Sequence, residues 1–442
     1  MAAINVDDEI IPEAPNNEVL PLVEPTDRTP LLGGNDIIIE NEDQVSVSQG
    51  SASRISCAVN LANTILGTGM LAMPAAIASV GLIMGSMLIF YAAFTSGLGL
   101  YFLSRAAAQT KGRNSSFFAV SQLTYPKAAL FFDIAIAIKC FGVSISYLII
   151  IGDLMPQVVI AILGSGYIDS NSLFLDRRFW ITAFMIVIIP LAFLKKLDSL
   201  RYTSFIALIS VVYLVFIVIY YYVGPDFKAP PKDKIHYINF SGKFLTHLPI
   251  FVFSFTCHQN VFSIYNELRD NNQSRINTVI NGSIGTSSII YQIIGILGYL
   301  SFGDDVLPNI IAMYNASTIV TIGRAAIVIL VVFSYPLQAH PARFCLEKSF
   351  FFLQSLSSKS PRPYSEARYI FLTVAILFSS YIISILVSKL DLVLSFVGST
   401  GSTAVSFILP GIFYYKLHED SSWDTRKILS VFLAVYGCLV MV

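Results

Sequence analysis

Charge is scarce in this chain. Asp, Glu, Lys and Arg make up 13% of its 442 residues against 55% hydrophobic, at a mean hydropathy of +0.68. A soluble domain has no interior for that much apolar surface, so the composition reads as a polytopic membrane protein. Cysteine is sparse too. Cys57, Cys140, Cys257, Cys345 and Cys438 all fall in or beside apolar segments. No spacing among them matches a metal site, and no pair lies in an extramembrane loop, which argues against structural disulfides. Histidine and acid within the apolar segments are few and scattered, so a membrane enzyme's nucleophile, metal cluster or paired carboxylates have no source. A channel's pore-lining repeat or ring of charge is equally missing. The chain starts without the basic residues and apolar core of a signal peptide, so the first spanning helix is expected to be its own insertion signal.

What charge there is divides unevenly. Residues 1–50 hold eleven acids, among them Asp7, Asp8, Glu9 and Glu13, a single base, Arg28, and no aromatic residue. Such a segment cannot bury a core and reads as a disordered cytosolic tail. Within it, "DRTPLL" places Asp27 ahead of Leu31 and Leu32. That resembles the acidic dileucine signal by which adaptor complexes divert membrane proteins to lysosomes or vacuoles; the alternative is an apolar pair in a solvated tail.

A spanning helix needs about 20 mostly apolar residues. On that scale eleven spans are expected: 54–80, 82–105, 127–162, 179–194, 201–223, 244–268, 276–301, 318–345, 365–388, 391–415 and 425–442. With the N-terminus in the cytosol, 19 of the 28 Lys and Arg residues fall on the cytosolic side, as the positive-inside rule requires. The basic loop holding Lys228, Lys232, Lys234 and Lys243 runs against it. The sequons at Asn239 ("NFS") and Asn315 ("NAS") lie on the expected outer side, and that at Asn114 on the inner.

Two of these spans carry polar residues at mid-depth. "NLANTILGTGMLAMP", residues 60–74, interrupts the first, and "PIFVFSFTCHQNVFSIYNEL", residues 249–268, the sixth. Gly67 lies 13 residues after Arg54, and Thr256 lies 12 after Phe244. Breaks at matching depth, five spans apart, are the pattern of a five-plus-five inverted repeat with two discontinuous helices. Five is odd, so the second repeat enters from the opposite side and the breaks meet near the midplane. A half-helix restarting after "GTG" presents free N–H groups and a positive dipole end, suited to a carboxylate. Gly67 and Gly69 let the backbone leave helical geometry, and Pro74 suits the first turn of the new half-helix. Carbonyls at the end of the preceding half-helix suit an ammonium or a cation. Together they match the zwitterion of a free α-amino acid; the alternative use of such glycines is close helix packing.

The stretches "NTILGTGMLAMP", "IAIKCFGVSISYLIIIGDLMP" (134–156), "FLKKLDSLRYTS" (193–204), "FTCHQNVFSIYNEL" and "SYPLQAHPAR" (334–343) resemble the amino acid/auxin permease family over residues 54–442. Within it they are most similar to the fungal vacuolar amino acid transporters and the animal sodium-coupled neutral amino acid transporters. The resemblance implies an all-α polytopic membrane protein of eleven helices. Its LeuT-like core would run over 54–223 and 244–415, after a tail at 1–53 and before an eleventh helix at 425–442. It implies secondary active amino acid transport without a cofactor, proton-driven in the fungal vacuolar members; the wording of 134–157 and 193–202 is most similar to the exporting type. Na⁺ coupling at the plasma membrane and a non-transporting amino acid sensor are the alternatives.

On this footing the backbone of Leu66, Gly67, Thr68, Gly69 and Met70 is expected to bind substrate, with the Thr68 hydroxyl. Phe255, Thr256 and Cys257 line the second break, and the resemblance places Tyr147 against the substrate carboxylate. Asn63 stands where the animal relatives carry a sodium-ligating asparagine, with helix capping as its alternative. Ser334 precedes the "YP" expected to disturb span eight and is the second hydroxyl for a cation. His258 titrates near neutral pH and is either a proton-coupling group or a neutral histidine bonded to a freed carbonyl. Asp133, Lys139 and Asp153 in span three are functional charges or scaffold ion pairs, and Glu267 is a structural or gate residue. "GSTGST", residues 398–403, serves close packing or a gate. Lys139 is the single base placed within a span, which favours neutral over acidic substrates.

Overall fold

Backbone N–H and C=O groups in hydrocarbon must pair within their own segment, and the apolar runs accordingly fold as helices. The computed structural model describes residues 50–110, 112–164, 172–194, 201–225, 227–239, 244–357 and 365–441; Asp27, Leu31 and Leu32 lie outside them. In chain order the α-helices are α1 (Arg54–Ile65), α2 (Gly69–Ala78), α3 (Leu82–Ala107), α4 (Phe117–Leu123), α5 (Ala129–Leu163), α6 (Arg177–Ala192), α7 (Arg201–Val223) and α8 (Phe244–Ser254). There follow α9 (Val261–Glu267), α10 (Gln273–Phe302), α11 (Ile310–Met313), α12 (Thr318–Ser357), α13 (Glu366–Leu386), α14 (Leu390–Val397), α15 (Leu409–Leu417) and α16 (Thr425–Met441).

Among the described residues six helical stretches are long and apolar enough to cross a membrane: Leu82–Ala107, Pro126–Leu163, Gln273–Asp305, Thr318–Phe351, Glu366–Leu386 and Leu390–Leu417. The pair α1–α2, bent by 55° at its break, makes a seventh. The other four of the eleven expected spans correspond to α6, α7, α16 and the broken pair α8–α9. At 1.5 Å per residue, the 35 residues of α5 reach about 52 Å and the 40 of α12 about 60 Å, well beyond the ~30 Å hydrocarbon layer. These two pack along one another at the centre of the molecule. Pro336 and Pro341 sit inside α12 without interrupting it, so "YP" removes a backbone donor but leaves the helix whole.

Span ten does depart from α geometry. Two successive π turns, Gly398–Ser402 and Ala404–Ile408, join α14 to α15. The glycines explain the close approach there. A Cβ on Gly398 would stand 2.0 Å from the Pro249 carbonyl, and one on Gly401 would stand 2.7 Å from the Lys139 amide nitrogen. Of the two uses open to "GSTGST", this geometry is the packing one.

Hydrogen bonds close the bundle on two opposite faces. On one, Ala52 pairs with the end of α9, its N–H on the Glu267 carbonyl at 3.0 Å and its carbonyl taking the Arg269 N–H at 2.9 Å. Arg113 donates to the Asn266 and Leu268 carbonyls at 2.7 and 2.9 Å, and Asn266 exchanges two bonds with Ser115. On the other face, beyond α2, Leu82 and Ile83 donate to the carbonyls of His236 and Tyr237, and Asn239 donates to Val80. There the His236 imidazole sits 3.0 Å from Asp304, and Lys234, which pairs with Asp305, is held above the ordinary lysine pKa by that carboxylate.

Candidate functional site

The two broken helices cross at their breaks. Gly69 is buried against Ser254, and a Cβ on it would stand 2.4 Å from the Ser254 hydroxyl and 3.0 Å from its Cα. Neither Gly67 nor Gly69 has positive φ, so the backbone conformation at "GTG" is open to any residue. Gly69 is there for close approach, whereas a Cβ on Gly67 would meet nothing within 4 Å. Pro74 is the sixth residue of α2, past the first turn, and wedges against Gly298 of α10 instead of starting the half-helix.

Tyr291 of α10 ties the breaks together. Its hydroxyl lies 2.6 Å from the Ile65 carbonyl and 2.8 Å from the Ser254 carbonyl, serving the last turn of both preceding half-helices. Its ring stacks edge-on with Phe255 at 5.0 Å. Ser96 of α3 donates to the Phe255 carbonyl at 2.8 Å. The protein thus partly satisfies the carbonyls that the sequence leaves for a ligand. Asn260 donates to Thr64 at 3.0 Å, a further bond from the second break to the first.

At the start of α2, Met70 and Leu71 donate to the carbonyls of Gly67 and Thr68. The N–H groups of Thr68 and Gly69 have no acceptor among the described residues. They point the positive end of a ten-residue helix at a cavity of about 20 Å³ lined by Thr64, Ile65, Gly67, Thr68, Gly69 and Lys139, with Val143, Tyr147, Phe253, Thr256 and Gln338 completing the wall. That volume admits roughly one water, so an amino acid enters only as the walls move. The Gln338 side-chain oxygen is buried without a donor. The wall therefore offers unmet N–H groups, a lysine and an unmet acceptor.

Of the residues expected to bind substrate, Gly67, Thr68, Gly69, Tyr147 and Thr256 line this cavity; Leu66, Met70, Phe255 and Cys257 are packed behind it. All four of these side chains are buried. Ser334 and Gln338 of α12 face the Tyr147 hydroxyl, and Asn63 is half-buried in α1. Asp133 faces Lys348, and Asp153 lies 3.8 Å from Arg177, so both acids of span three have cationic neighbours. Lys139 has no carboxylate within ion-pair distance among the described residues.

His258 lies outside the cavity wall. Its ring is fully buried, with Nε2 3.1 Å from the Ser96 carbonyl and Nδ1 3.0 Å from the Ser406 hydroxyl. A carbonyl only accepts, so Nε2 carries the hydrogen, while the Ser406 hydroxyl that meets Nδ1 also donates to Thr256 at 3.2 Å. Gly99 makes room for this arrangement: a Cβ there would stand 2.8 Å from Nε2.

Tyr291 and Gln338 were beyond the reach of sequence reasoning. Neither residue belongs to a pattern in its helix, and its partners stand far away in the chain.

A bundle with two broken helices crossing at a small polar cavity defines a multi-pass helical protein of the transporter type. The chain belongs to the transmembrane amino acid transporter protein family, whose model matches residues 50–442. It is 45% identical to vacuolar amino acid transporter 5 of Schizosaccharomyces pombe, over 89% of this chain and 93% of that one. It is 36% identical to vacuolar amino acid transporter 6 of Saccharomyces cerevisiae (88% and 97%) and 27% identical to the zebrafish sodium-coupled neutral amino acid symporter 2 (90% and 82%). In fold it is similar to Mhp1 in its inward-facing conformation, at TM-score 0.60 and 12% identity over 89% of this chain and 90% of that one. It is also similar to MhsT in complex with L-phenylalanine, at 0.54 and 13% over 89% and 100%. The fold is LeuT-like.

Proposed function

We propose that the protein is a secondary active transporter that carries neutral amino acids across the vacuolar membrane, driven by protons and directed from vacuole to cytosol. The observation that carries this reading is the cavity between the crossed breaks. Amide donors of Thr68 and Gly69 suit a carboxylate, and the unpaired Gln338 oxygen suits an ammonium. Thr256 and the Tyr147 hydroxyl complete the polar wall. The names of the vacuolar relatives support the compartment and the substrate class. Export and proton coupling rest on the similarity of 134–157 and 193–202 to the exporting vacuolar type. The N-terminal tail lies in the cytosol, where Asp27, Leu31 and Leu32 offer a sorting signal to adaptor complexes, and Asn239 and Asn315 face the lumen.

The test is flux of radiolabelled neutral amino acids in sealed vesicles holding the purified protein. An imposed pH gradient is compared with an imposed Na⁺ gradient. Flux driven by ΔpH alone is expected, running out of the acidic compartment. Flux that follows Na⁺ would overturn proton coupling and assign Asn63 and Ser334 to the ion; binding without flux would make the protein a sensor.

A further inference from the structure

Lys139 is 4% exposed in the first third of α5, lines the cavity beside the "GTG" break, and has no carboxylate partner among the described residues. The titratable groups that face it are Cys140 on its own helix and Cys257 and His258 on the second break. Tyr147, two turns along α5, is the phenol on the same cavity. The first break brings only apolar residues, glycine and threonine to this wall, and span eight brings Gln338. Span ten brings Gly401 against the Lys139 backbone. Ser96 and Ser406 engage both ring nitrogens of His258, and no carboxylate stands near the amine among the described residues.

We propose that Lys139 carries the coupled proton. The inference rests on the transport reading above and names the group that links substrate to driving ion. A buried ammonium with no counter-charge is strongly disfavoured, so with no anion in the cavity the side chain is held as the neutral amine. The carboxylate that docks on the Thr68 and Gly69 amides brings a negative charge to the same wall. The amine then takes one proton from the side to which the cavity is open, R–NH₂ becoming R–NH₃⁺, and returns it when the carboxylate leaves on the other side. Coupling of this kind is reciprocal: substrate raises the affinity for the proton by the factor, about 5- to 150-fold, by which acid raises the affinity for substrate.

The test is titration calorimetry of a neutral amino acid into the purified full-length protein, in buffers of different ionisation enthalpy at one pH. Wild type is expected to take up close to one proton per substrate bound. Lys139→Arg, permanently charged, is expected to bind with no proton uptake, and any binding left in Lys139→Met is expected to be proton-free. In vesicles neither variant accumulates substrate under ΔpH. Wild-type binding without proton uptake would overturn the proposal while leaving transport intact, as would uptake that persists in either variant. A wild type that neither binds nor exchanges labelled amino acid in counterflow would remove the transport reading, and this proposal with it.

Discussion

Single atoms at the breaks decide whether the two halves meet. Gly69→Ala places a methyl against Ser254, where neither backbone has room, and is expected to destabilise by about 1–3 kcal/mol as an overpacking change. Gly67→Ala meets open space and is expected to leave the melting temperature in detergent within error of wild type; equal losses for both would show that conformation, not approach, selects the glycines. Tyr291→Phe strips the hydroxyl from two buried carbonyls and is expected to cost about 1–3 kcal/mol, read as a drop in the same melting temperature. For His258→Ala the geometry predicts a loss of stability with an unchanged pH profile of flux, because both ring nitrogens are already engaged by Ser96 and Ser406. A shifted profile would return the coupling role to His258. Thr68, Gly69 and Thr256 could be read from the sequence because "GTG" and its counterpart are local polar breaks in apolar runs, whereas Tyr147 was placed by the family resemblance. Tyr291 could not: its partner Ile65 is 226 residues away, and one tyrosine in "SSIIYQIIG" carries no pattern.

Among the elements, α5 and α12 are the two longest helices and pack along one another, and the broken pairs α1–α2 and α8–α9 meet at the cavity. Arg113, in the loop after α3, latches the end of α9 on the face where Ala52 also pairs with it. Arg113→Ala removes two charge-assisted bonds, and opening on that face is expected to become more frequent. A cysteine placed at Ala52 should then react faster with a membrane-impermeant maleimide; an unchanged rate would mean that the latch does not gate. Apolar run length gave the bounds of most helices to within a few residues, since backbone in lipid has no alternative to the helix. The π turns of span ten were not legible, because small residues permit such turns without requiring them, and the contact that fixes them, Gly398 on Pro249, is a tertiary one.

At the scale of the whole molecule, the hydrogen-bonded faces define its sidedness. Residues 50–53, 113–115 and 266–269 share one face, and Val80, 236–239 and 299–305 share the other. Asn239 and Asn114 therefore lie on opposite sides of any membrane that the bundle spans. A glycan is expected at Asn239 and none at Asn114, seen as a mass shift lost in Asn239→Gln; the reverse would invert the orientation. The central claim is that the cavity at the crossed breaks holds the amino acid in transit. Counterflow of a labelled neutral amino acid tests it most directly, in vesicles carrying wild type or Gly69→Leu at matched amounts of folded protein. Wild type is expected to exchange label and Gly69→Leu to stay at the level of empty vesicles, because the leucine fills the space between the breaks. Wild-type exchange by Gly69→Leu would contradict the account and place the substrate elsewhere.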